Sequence, residues 1–89
     1  MRYANRRDEN EPEIVLALRR VGACVFALND EIADLAVLFR NRWFLIEVKG
    51  EKGELTHRQS VAREVVGDEP LPIVRTIEEA LQAIGAVKR

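Results

Sequence analysis

The sequence predicts an α/β fold with the element order α-β-β-β-α-β-α. Three observations lead there. Apolar residues recur at helical spacing in three segments. Four short apolar runs rich in strand formers lie between or beside them. Each helical segment opens on a capping signal and closes at a glycine. Eighty-nine residues form a single domain, 1–89, because chains divide into domains mostly above ~250 residues.

Helix one, roughly 11–21, opens at Asn10-Glu11-Pro12-Glu13. Asn10 is placed to cap, proline is tolerated in the first turn, and Glu13 stands at the capping-box position. Ile14, Val15, Leu18 and Val21 supply its apolar stripe and Gly22 its stop. Strand one is the run from Ala23 to Leu28, bounded by Gly22 and by Asn29-Asp30. Strands two and three are Leu35 to Arg40 and Trp43 to Lys49, joined by Asn41-Arg42 as a tight antiparallel hairpin. After the polar loop from Gly50 to Glu54, Thr56 and Gln59 make a second capping box. It opens helix two across Val61, Ala62, Val65 and Val66, to Gly67. Pro70 and Pro72 break the chain before strand four, Ile73-Val74-Arg75. Thr76 and Glu79 then cap helix three, whose Ile77, Ala80, Leu81 and Ile84 precede Gly85.

Composition narrows the function classes. Hydrophobic residues at 47% and charged residues at 33% are ordinary globular values, against disorder or low complexity. Fourteen basic residues against fifteen acids leave a net charge of −1, which excludes a generic polycation but not a local basic face. The apolar runs fall far below the ~18–20 residues of a membrane helix, and the first residues lack a signal peptide's apolar stretch. The single cysteine, Cys24, cannot form an internal disulfide and is expected in the core. A reduced, cytoplasmic protein without a membrane partner is expected. A chain this short buries only roughly 60–65% of its unfolded surface, so its core is thin and a partner subunit is plausible.

The hairpin carries the chemistry. With Asn41-Arg42 as the loop, Arg40 pairs with Trp43, Leu38 with Leu45, Ala36 with Glu47 and Asp34 with Lys49. Asp34, Glu47 and Lys49 then share one face of the sheet. Glu47 and Lys49 are ~6.6–6.8 Å apart along the strand, and Asp34 is a diagonal neighbour of Glu47. Leu35, Val37, Phe39, Phe44, Ile46 and Val48 make the other face apolar. Two carboxylates can share a hard cation such as magnesium, which keeps waters and bridges to phosphate. A lysine beside them can orient a water or offset developing charge. The same residues would also serve simply as charges where a strand emerges into solvent.

Asp34, then twelve residues, then Glu47-Val48-Lys49 on a strand resembles the PD-(D/E)xK nuclease superfamily. Asn10 to Val15, Gly22-Ala23, Leu45 to Lys49, Leu55-Thr56 with Gln59, and Val74-Arg75-Thr76 with Glu78 to Leu81 resemble, in that order, stand-alone phage-type VRR-NUC domains. The likeness runs from about Asp8 to Gly85. It implies a restriction-endonuclease-like core, a mixed central sheet flanked by helices. It implies a magnesium- or manganese-dependent DNA endonuclease, a homodimer acting on branched DNA, with four-way (Holliday) junctions foremost. Asp34 and Glu47 would be metal ligands, the Val48 carbonyl a further one, and Lys49 the residue that positions or activates water.

A helix-one glutamate would complete the acidic cluster. Glu11 matches by its place after Asn10, with Glu13 the alternate. Gln59 would face the site by resemblance, and by local rules is the capping partner of Thr56. The sequence departs from the superfamily at Ala33, where proline often precedes the aspartate, and in a hairpin turn without glycine.

The remaining candidates are less specific. Arg2, Arg6, Arg7, Lys52, Arg58, Arg63 and Arg75 are placed to contact phosphates around the acidic site, or to be solvated cations. His57 reads as a surface or phosphate-contacting residue, and Trp43 and Phe44 as packing or dimer surface. With Glu11, Asp34 and Glu47 assigned to a metal centre, the formal charge of the rest moves from −1 to +2.

Overall fold

Helical periodicity and apolar runs become elements in the predicted order. The computed structural model describes residues 8–28 and 32–87. Its elements are α1 (Glu11–Arg20), β1 (Cys24–Ala27), β2 (Leu35–Phe39), β3 (Arg42–Val48), α2 (His57–Val66), β4 (Ile73–Val74) and α3 (Ile77–Ala83). The predicted bounds hold to within one residue at most ends, and Asn29-Asp30, the limit expected for β1, lies outside the described residues. The strands form one mixed sheet in the order β1-β2-β3-β4, antiparallel except for the parallel pair β3–β4.

The glycine stops have a common geometry. Gly22 (φ +99°) and Gly85 (φ +78°) follow α1 and α3 in the left-handed region that favours glycine. The Gly22 and Ala23 amides donate to the Arg19 and Leu18 carbonyls, and the Gly85 and Ala86 amides to those of Gln82 and Leu81. These are Schellman closures, and they turn each helix back toward the sheet.

One face of the sheet is covered. Val25, Leu35, Val37, Phe39, Ile46, Val48 and Val74 pack with Ile14 and Leu18 of α1 and with Ala80 and Ile84 of α3 in a single buried cluster. Each fully buried large aliphatic side chain contributes roughly 1.5–3 kcal/mol. The opposite face is open: Phe26 is 53% exposed, Trp43 61% and Leu45 39%. Cross-strand rows Cys24–Leu38–Trp43 and Phe26–Ala36–Leu45 form it, with the Phe26 and Trp43 rings 6.0 Å apart.

This corrects two expectations. Cys24 is exposed rather than in the core, because alternation sends it with Leu38 and Trp43 to the open face. The apolar positions of α2 are not a buried stripe either. No residue of α2 is buried, and Val65 is 80% exposed.

The hairpin turn is also corrected. Leu38 pairs with Trp43 and Phe39 with Arg42, so the two-residue loop is Arg40-Asn41 and not Asn41-Arg42. Both loop residues have positive φ, 54° and 66°, as a type I′ turn requires to match the right-handed strand twist. Ending β2 at Phe39 lets the Arg40 guanidinium lie 4.7 Å from the Phe39 ring centre, and that of Arg42 5.4 Å from the Phe44 ring centre. The shift moves every pairing by two residues, so side chains keep their predicted faces. Ala36 comes opposite Leu45 instead of Glu47, and the regular pairing ends at Leu35 opposite Ile46, whose carbonyl also accepts from the Asp34 amide.

The turn assignment predicts opposite signs for two substitutions. Arg40→Gly removes a left-handed conformation costing about 1–2 kcal/mol and should raise the unfolding free energy. Arg42→Gly loosens a strand and should lower it by about 0.5–1 kcal/mol. Urea denaturation reads both, and reversed signs would place the loop at Asn41-Arg42.

Candidate active site

β3 runs past the end of β2, and Asp34 covers the difference. Its backbone amide donates to the Ile46 carbonyl at 3.0 Å, and its Oδ2 accepts from the Val48 amide at 2.8 Å. On the other side of β3, the Glu47 and Lys49 amides donate to the Pro72 and Val74 carbonyls, both at 3.0 Å. In a strand the N–H and C=O of one residue point the same way, so the Val48 carbonyl also faces the Asp34 side. Alternation sends the Glu47 and Lys49 side chains to the face carrying Asp34.

Glu47 is 2% exposed. Its Oε2 lies 3.5 Å from Lys49 Nζ and accepts from Gln59 Nε2 at 2.9 Å. Its Oε1 is buried and has no hydrogen-bond partner. Burial, then the charge of Asp34 and a hydrogen bond with it, push the Glu47 carboxyl up to about 7, against the opposing pull of Lys49. A buried carboxylate with one oxygen unpartnered, beside a half-buried second one at a strand end, fits a hard cation that takes oxygen ligands. Among the described residues no group of three His, Cys, Asp or Glu side chains is gathered for a metal ion.

Gln59 serves both readings at once. Its backbone amide donates to Thr56 Oγ1 and its Oε1 accepts from the Thr56 amide, closing the capping box. Its Nε2 remains for Glu47. An amide has two chemically distinct ends, so capping and facing the site do not compete.

Glu11 is buried (6% exposed) at the start of α1 and engaged in an interaction of its own, whereas Glu13 is exposed. Asn10 does not cap α1, and the predicted capping box is absent. Asn10 itself has helical backbone angles, and its Nδ2 donates instead to the Lys49 carbonyl at 3.0 Å and the Arg75 carbonyl at 2.9 Å. Sequence reasoning missed this role, because the capping context supplied a sufficient local explanation for the asparagine. The box at Thr76 is half formed. Its hydroxyl accepts from the Glu79 amide at 3.0 Å, but the Glu79 carboxylate accepts from the Arg75 amide.

The candidate phosphate contacts separate into groups. Arg2, Arg6 and Arg7 lie outside the described residues. Lys52, Arg58 and His57 are exposed. Arg63 donates to Asp68 Oδ1 and to the Leu71 carbonyl, and Arg75 Nη1 to the Gly50 and Gly53 carbonyls. Those two guanidinium groups brace loops. Trp43 stands on the open face, while Phe44 is half-buried against the core.

Comparison with family models, with curated proteins and with solved structures finds no match to this chain.

The raised Glu47 pKa has a thermodynamic signature. Unfolded, the carboxyl loses its proton near 4.5, and folded, near 7. The folded state therefore binds more protons between those values, and metal-free protein loses stability as pH rises through them. The full penalty, about 3 kcal/mol, is present above pH 7. In EDTA, Glu47→Gln should melt above the wild type at pH 8, with the difference shrinking toward pH 4.5. A difference independent of pH would exclude the shift.

Proposed function

We propose that this chain is a divalent-metal-dependent DNA endonuclease with a restriction-endonuclease-like core, cutting branched DNA, four-way junctions foremost, as a homodimer. The observation that carries the reading is the buried Glu47 beside half-buried Asp34, with Glu47 Oε1 unpartnered and its Oε2 3.5 Å from Lys49 Nζ. A structural ion pair has no need of a second carboxylate that raises the pKa of the first. The resemblance of the ordered motifs to VRR-NUC domains supplies the substrate class, so the DNA structure rests on analogy and the chemistry on geometry.

Asp34, Glu47 and the Val48 carbonyl would hold magnesium or manganese, and buried Glu11, next to the Asn10 that bonds the Lys49 carbonyl, is the helix-one candidate. Two carboxylates are enough for magnesium, which retains several waters. When bound, the cation supplies charge neutralisation on the phosphodiester and acidifies an attached water. Lys49, held by Glu47 on the same face, orients the attacking water and offsets charge developing on the phosphate. Gln59 holds Glu47 Oε2, which leaves Oε1 as the oxygen that would be available to a cation. By the same resemblance, hydrolysis would proceed in one step by activated water, without a covalent intermediate.

The homodimer is supported by the open sheet face. It carries Phe26, Leu38, Trp43 and Leu45 without a charged residue until Glu47, and a two-fold arrangement gives the two opposed cuts a junction needs.

Synthetic four-way junction, flap and plain duplex DNA, each incubated with magnesium, manganese or EDTA, test the reading. Symmetric metal-dependent junction cuts are expected. Preferential cutting of flaps or duplex would keep the chemistry and change the substrate, while binding without cleavage in any metal would leave only a nucleic-acid-binding module. Glu47→Ala and Lys49→Ala should each lower cleavage at least about 10²-fold with junction binding retained.

A further inference from the structure

We propose that Asn10 is a positioning residue for the Glu47–Lys49 site, its amide clamping together the chain ends that leave β3 and β4. The proposal rests on the nuclease reading above. Lys49 and Arg75 follow the parallel pair β3–β4 immediately, where the ladder stops and their carbonyls have no strand to receive a donor. Asn10 Nδ2 donates to both, at 3.0 and 2.9 Å, from residues 39 and 65 positions away in sequence. Only a primary amide offers two N–H donors on one uncharged nitrogen. Its Oδ1 is buried without a partner, so the donor end alone accounts for the side chain's bonding.

The clamp is continued by Arg75. Its Nη1 donates to the Gly50 carbonyl at 2.5 Å and the Gly53 carbonyl at 2.9 Å. The residue whose carbonyl Asn10 holds therefore also holds the segment after Lys49. Lys49 is thus fixed through its amide by Val74, through its carbonyl by Asn10, and through its following loop by Arg75. The backbone from which the side chain reaches Glu47 Oε2, with Nζ at 3.5 Å, is therefore fixed. The clamp also attaches the first turn of α1, with buried Glu11, to the same strand end. Supporting groups of this kind, one bond behind the ligands, typically alter metal affinity or activity 10–100-fold when removed.

The test compares wild type with Asn10→Asp, which keeps the shape but presents oxygens to both carbonyls, and Asn10→Ser, which keeps one donor. Manganese affinity by calorimetry, kcat and KM on junction DNA, and amide hydrogen exchange across residues 48–53 are measured on the full chain. Asn10→Asp should weaken manganese binding and lower kcat, each roughly 10–100-fold, leave KM within about threefold, and speed exchange in 48–53. Asn10→Ser should fall between. If Asn10→Asp fails to fold, Asn10→Ser decides on the same readouts. Folded variants with wild-type kcat, manganese affinity and exchange would overturn the proposal. Wild-type protein that neither binds manganese nor cleaves would overturn the nuclease reading instead, and unchanged exchange in the variants would still refute the clamp.

Discussion

Everything at the working end of this molecule depends on one bond, from the Val48 amide to the Asp34 carboxylate. β3 extends beyond its antiparallel neighbour, and a strand end in that position has amides with nowhere to donate. A side-chain oxygen takes the place of the missing backbone carbonyl. The group that completes the sheet is therefore also the anion beside Glu47. Sheet geometry and site electrostatics share the same two oxygens, and a change at Asp34 cannot alter one without the other.

The arrangement is held against its own preference. Asp34 repels the buried Glu47 carboxylate, and burial alone raises the Glu47 pKa. Lys49 offsets this only in part. The remainder is borne by the covered face of the sheet, where Ile14, Leu18, Leu35, Val37 and Ile46 are fully buried, and by the parallel ladder from β3 to Pro72 and Val74. One face stabilises the fold, and the other presents polar groups at its end and an apolar surface over the rest.

Element order and helix ends were legible because they are local. Gly22, Gly67 and Gly85 and the Thr56–Gln59 box act within a few residues, and apolar spacing needs no tertiary knowledge. The shared face of Asp34, Glu47 and Lys49 was legible too, since it depends only on parity, and a two-residue error in register preserves parity. The turn itself was missed because Asn41 suits either loop position, and the choice falls to Arg40 and Arg42 stacking on Phe39 and Phe44. Cys24 and the valines of α2 were misread because hydrophobicity states a preference for burial, not the presence of something to be buried against. Asn10 was legible only as a cap. Its true partners are 39 and 65 residues away and are backbone atoms, which leave no mark in side-chain patterns.

The double use of Gln59 has a further consequence for motion. α2 contributes no buried residue to the core, so hydrophobic packing does little to hold it down. Its attachment runs through polar links: Gln59 to Glu47 at one end, Arg63 to Asp68 and Leu71 at the other. Segments with few buried apolar contacts open at low free energy, independently of the global transition. The helix is thus held largely by polar links, one of which ends on the buried acid Glu47. What Glu47 binds therefore bears on α2 as well as on the sheet, through the amide of Gln59.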